Sequence, residues 1–165
     1  MNNAWQFIAD CLRSELVDYG ELLRLFEAQQ RSLFDREPEQ VLYYSNEIER
    51  QALRLAKCRT QRESAVSEFA VDHGQPSTSS LRSMLPLIEA DARPLIEALI
   101  NEVNTLLHRV RRTSRHNQML LSRTIELHQE TLQQLRPHSF TKTYSPAGRV
   151  SVAAALPTST LRATG

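Results

Sequence analysis

Residues 41–69 run VLYYSNEIERQALRLAKCRTQRESAVSEF. Steps of three and four residues from Val41 pick out Tyr44, Ile48, Gln51, Leu55, Cys58, Arg62, Ala65 and Phe69. All but Gln51 and Arg62 are apolar or nearly so. A spacing of about 3.5 residues holds one stripe of a helix against a partner helix. Between these positions lie Glu47, Glu49, Arg50, Arg54, Lys57, Arg59 and Glu63, a solvated face. The stretch predicts a long helix over 38–71 that packs in a coiled-coil-like seam.

Toward the N-terminus, Ile8, Leu12, Leu16, Tyr19, Leu23, Phe26 and Leu33 form a second stripe, broadened by Trp5, Leu22 and Leu25. They predict a helix over 3–34, in which Gly20 costs about 1 kcal/mol relative to alanine. Asp35-Arg36-Glu37-Pro38 separates the two helices with a capping acid and a proline suited to a first turn. So short a connection makes them antiparallel neighbours. Folding back at that turn brings Cys11 and Cys58 to similar heights, where both read as small core residues.

Toward the C-terminus, Val71 to Ser80 reads as a loop, followed by a short helical piece over 81–88 limited by Pro86. Asp91 and Pro94 open a third long helix over 94–135. Its stripe is Ile96, Leu99, Val103, Leu106 and Val110; Thr113 and Asn117 then interrupt it before Leu120. From Leu121 a displaced stripe continues through Ile125, Leu132 and Leu135. This helix would be roughly 63 Å long against about 50 Å for the first two, so its last turns should overhang. Pro137 ends it. Residues 137–165 hold no acid, three bases and nine serines or threonines, the composition of a flexible tail. Ser145-Pro146-Ala147-Gly148 is a turn signal, and 150–156 could become a small apolar helix when bound.

The expected fold is therefore all-α. It has three long helices in an antiparallel bundle over 1–136, a short extra helix before the third, and a tail over 137–165. Composition agrees. Only four of 165 residues are glycine, too few for the turns of a sandwich or barrel. Neither a dinucleotide-binding glycine motif nor a phosphate-binding loop occurs. With two cysteines, no signal-peptide pattern at Met1–Trp5 and no run of 18 apolar residues, the expectation is a cytoplasmic protein without membrane insertion.

Catalytic chemistry finds no foothold. His73, His108, His116, His128 and His138 form no metal-ligand spacing with each other or with cysteine. The acids of the first two helices alternate with arginines as surface pairs do, and no nucleophile elbow exists. The chain reads as non-enzymatic, with no cofactor and no metal.

Two features suit binding. Residues 104–165 hold nine bases and two acids, a net of +7, and Arg109, Arg111, Arg112, Arg115 and Arg123 concentrate that charge. A nucleic-acid-binding regulator could work through Arg109–Arg123, but no aromatic residue lies between Phe69 and Phe140 to stack bases. The reading preferred is that these arginines meet the acidic outer faces of the first two helices. The second feature is the run from Met119 to Leu135, with more apolar surface than two helices cover. It suits capture of a partner helix. Packing against the 81–88 piece or a second copy would use the same stripe, so a homodimer or a structural coiled-coil module stays open.

The order of these features resembles the FlgN-type flagellar export chaperones. The resemblance lies in Leu22-Leu23-Arg24-Leu25-Phe26-Glu27, the short acidic turn, and a second helix ending Cys58-Arg59-Thr60-Gln61-Arg62. It continues in Arg115-His116-Asn117-Gln118-Met119-Leu120-Leu121, an asparagine followed by paired leucines, and in Thr143-Tyr144-Ser145-Pro146-Ala147-Gly148. The resemblance implies a chaperone that binds the C-terminal helical segment of hook-associated (hook–filament junction) proteins and docks on the flagellar export gate. Asn117, Leu120 and Leu121 would carry the asparagine-leucine element, and Tyr144 the tail tyrosine that reaches the gate. With Ile125, Leu132, Leu135 and Phe140 they form the expected partner-binding set. Residues 150–165 match no family pattern.

Overall fold

A computed structural model describes residues 4–135, 140–144 and 150–154, with side chains over 4–135. Helix α1 spans Ala4–Phe34, α2 Pro38–Asp72 and α3 Arg93–Leu135, with a 3-10 helix at Arg82–Leu87 before α3. Strands β1 (Phe140–Tyr144) and β2 (Val150–Ala154) pair antiparallel, Phe140 opposite Ala154 and Tyr144 opposite Val150. The chain divides into two compact units, Met1–Gln118 and Met119–Gly165.

In the first unit α1 and α2 pack antiparallel. Gln29 meets Ser45, Asp18 meets Gln51, and Glu15 meets Arg62. Every position of the 41–69 seam is buried or half-buried. The two polar members have specific reasons to be there. Gln51 donates to the Asp18 carboxylate at 3.0 Å and to its carbonyl at 3.1 Å. Arg62 forms an ion pair with Glu15, whose exposure is 0%.

The α1–α2 turn closes on Glu37 N–H donating to the Ser32 carbonyl at 3.0 Å, with Arg36 left-handed at φ 57 between them. The expected acid cap is absent. Glu37 occupies the cap position of α2 without a side-chain bond, and Pro38, which has no N–H to satisfy, opens the helix. Helix α2 ends similarly, with Gln75 N–H donating to the Ala70 carbonyl at 2.8 Å and Gly74 at φ 67. A left-handed residue just past a helix lets the chain satisfy the last carbonyls, and glycine takes that conformation without steric cost.

The 81–88 piece supplies Leu81, Met84 and Ile88 to a core shared with Ile8, Phe69 and Ile96. It is a 3-10 helix over Arg82–Leu87 that runs through Pro86 rather than stopping at it. Arg93 fastens it to the start of α3 by donating to the carbonyls of Ile88 (2.8 Å) and Pro86 (2.7 Å). Helix α3 runs parallel to α1. Asn117 reaches Phe26 and Gln29, His116 reaches Gln30, and at the other end Ile96 shares a core cluster with Ile8.

Helix α3 runs unbroken through Asn117, over Arg93–Leu135. Without a partner the segment Val150–Ala154 is extended; the small helix expected over 150–156 belongs to the bound state. The 145–148 turn and residues 155–165 lie outside the described residues.

Candidate functional site

The site is built on α3. Ile96, Val103 and Val110 are buried. Leu121 and Leu132 follow Val110 at intervals of 11 residues, about 3.67 per turn, which keeps them on the same side of the helix. The stripe after Leu121 is therefore not displaced, as the 3-4 spacing suggested. It is the same side continued.

What changes is its environment. Leu121 is 39% exposed, Leu132 49% and Leu135 73%, and Ile125 is exposed too. Leu120 is half-buried. The expected excess of apolar surface is thus found on the last turns of the helix.

Asn117 stands where the buried part of the stripe ends. It is 3% exposed, and its Nδ2 donates to the Phe26 carbonyl at 2.8 Å and to Gln29 Oε1 at 3.0 Å. Gln29 in turn donates to Ser45 Oγ at 2.9 Å, and Ser45 donates to the Val41 carbonyl at 2.8 Å. A chain of hydrogen bonds so crosses all three helices. Buried polar groups that are paired in this way fix which residue meets which, because a shifted register would leave them unpaired. Asn117 interrupts the apolar stripe to set the register of α3 on α1. Phe140 and Tyr144 lie in β1, and their side chains are outside the described ones.

The arginines correct a further expectation. Arg109, Arg111, Arg112, Arg115 and Arg123 are all exposed, and none forms an ion pair among the described residues. The pairs found are local on α1 and α2, such as Arg13 with Asp10 and Arg24 with Glu21, apart from Arg62 with Glu15. Long side chains on a helix surface reach neighbours one turn away more easily than a facing helix.

Sequence reasoning missed the buried acids Glu15 and Asp18, which it read as surface residues. The signal was the two polar residues of the α2 seam, Gln51 and Arg62. Cys58 lies beside them, with Sγ donating to Asp18 Oδ2 at 3.3 Å. Burial, then this carboxylate partner, push the Cys58 thiol above its ordinary range, and burial does the same to Cys11. Both cysteines are free. Among the described residues no group of three or more His, Cys, Asp or Glu could hold a metal ion, and no helix is long and apolar enough to cross a membrane.

A family model described as FlgN protein matches residues 1–151. The chain belongs to the FlgN family. It therefore has the general role of that family, a chaperone of flagellar export. The match takes in α1, α2, α3 and β1, and so both the buried and the exposed parts of the stripe. No curated protein and no solved structure matches the chain.

Proposed function

We propose that this FlgN-family chain is a cytoplasmic, non-enzymatic chaperone. It binds the C-terminal helical segment of hook-associated proteins and delivers them to the flagellar export gate. The observation that carries the proposal is the apolar side of α3, buried at Ile96, Val103 and Val110 and exposed at Leu121, Ile125, Leu132 and Leu135. A helix laid along the exposed part would cover what the free chain leaves in water. Covering the open half of four such side chains is worth about 3–6 kcal/mol before association costs. In this reading Leu120, Leu121, Ile125, Leu132 and Leu135 touch the client, and Asn117 holds their helix in register. Phe140 and Tyr144 belong to the tail that adds to the client contact and reaches the gate.

Calorimetric titration with C-terminal peptides of the same organism's junction proteins tests this, with the full chain and with residues 137–165 deleted. The expected result is one-to-one binding with a negative heat-capacity change, the mark of apolar burial. Absence of binding to every such peptide overturns it. A second reading, a nucleic-acid partner, has in its favour the exposed arginines of 109–123, which form no ion pair among the described residues. It requires an affinity for DNA or RNA that falls steeply as salt rises.

A further inference from the structure

The exposed side of α3 also limits the chemistry of what it takes, an inference that rests on the docking reading above. At about 100° per residue, the turns from Met119 to Leu135 divide into distinct sides. Leu121, Ile125 and Leu132 run down the middle of one, with His128 among them. One margin carries Leu120, Thr124, Leu127 and Thr131; the other carries Ser122, Gln129 and Gln133. Of the charged residues of these turns, Arg123 and Glu130 fall on the opposite side of the helix, and Glu126 lies just beyond the glutamine margin.

The threonine margin is less polar than its composition suggests. Thr124 donates its hydroxyl proton to the Leu120 carbonyl at 2.9 Å, and Thr131 to the Leu127 carbonyl at 2.9 Å. The donors are engaged with the helix backbone, which leaves methyl groups and acceptor lone pairs for a partner. The glutamine margin offers amides that both donate and accept. A charged side chain laid along either margin would lose water against groups that themselves carry no charge.

We infer that the face takes an amphipathic helix whose apolar stripe is bordered by uncharged residues, namely serine, threonine, asparagine and glutamine. It discriminates against helices bordered by lysine, arginine, aspartate or glutamate. Binding is then insensitive to salt, because no ion pair forms across the interface. No charge fixes the register, so one face accepts several client helices of this composition.

The test uses the full chain and two synthetic helical peptides with one apolar stripe, bordered by Gln and Ser in one and by Lys and Glu in the other. They are titrated at about 50 and 500 mM salt, at pH 8. The uncharged peptide should bind about tenfold tighter or more, a difference of about 1.4 kcal/mol. Its affinity should change less than about twofold with salt. Gln133→Lys should raise affinity for the charged peptide and make that binding fall with salt. Equal or tighter binding of the charged peptide by the natural chain overturns this inference and leaves the docking reading standing. Failure of both peptides to bind while junction-protein peptides bind overturns it as well. Failure of every peptide removes the docking reading with it.

Discussion

The two halves of α3 carry one stripe and meet two fates. From Ile96 to Asn117 it is buried or half-buried, and from Leu121 to Leu135 it is exposed. Residue type hardly distinguishes the halves, since Val110 and Leu121 are comparably apolar. The lesson is that periodicity reports which side of a helix is apolar, not whether the chain itself covers that side. Asn117 stands where the environment changes, and its bonds to α1 are long-range contacts that no local pattern encodes.

The comparison breaks most visibly through stability. Ile96→Ala should cost about 3 kcal/mol in urea unfolding, the usual loss for a buried aliphatic cut to alanine. Leu132→Ala should stay within about 0.5 kcal/mol, as surface substitutions do. A similar loss at both positions would mean that the exposed turns are structural after all.

The interior has its own weak point, at the ion pair. Arg62→Leu leaves Glu15 buried without its cation and should cost about 3 kcal/mol, the low end for such pairs because Arg62 is partly open to solvent. The double substitution Glu15→Leu with Arg62→Leu should recover most of that in the same unfolding measurement. No recovery would show that the pair is not what makes the single change costly.

These sites also show what the sequence made legible. The helices read as 3–34, 38–71 and 94–135 stand at Ala4–Phe34, Pro38–Asp72 and Arg93–Leu135. Long periodic stripes and strong breakers such as Pro38, Gly74 and Pro137 explain that agreement. Glu15 and Asp18 were not legible by themselves, because nothing in the local pattern of α1 sets them apart from its surface acids. Only their partners across the bundle, Arg62 and Gln51, reveal them, and that pairing depends on the antiparallel register. The hairpin of β1 and β2 was hidden for a related reason. Its strands are short, and a two-stranded pair is marginal by its local preferences alone.

Smaller effects sharpen the contrast from the side of the first unit. Gly20 is exposed in α1, and a methyl group there would meet nothing within 4 Å. Gly20→Ala should therefore stabilise by about 1 kcal/mol, read as a raised midpoint in thermal unfolding. An unchanged or lowered midpoint would contradict it. The thiols give the smallest signal. With both pKa values raised, Cys11 and Cys58 should react with a disulfide reagent at pH 8 well below the rate of the urea-unfolded chain. The sign for stability follows. Above the ordinary thiol pKa the unfolded chain ionises first, so this contribution is present at neutral pH and is lost as pH rises through the folded values. Equal rates in the folded and unfolded chains would place the thiols in water.

Hydrogen exchange along α3 tests the central claim most directly, in the free chain and with a junction-protein C-terminal peptide bound. Residues 96–117 should be protected in both states, and residues 119–135 should exchange fast when free and slow by tenfold or more on binding, about 1.4 kcal/mol of added local stability. Protection of 119–135 already equal to that of 96–117 in the free chain, or a gain confined to 96–117, would contradict it.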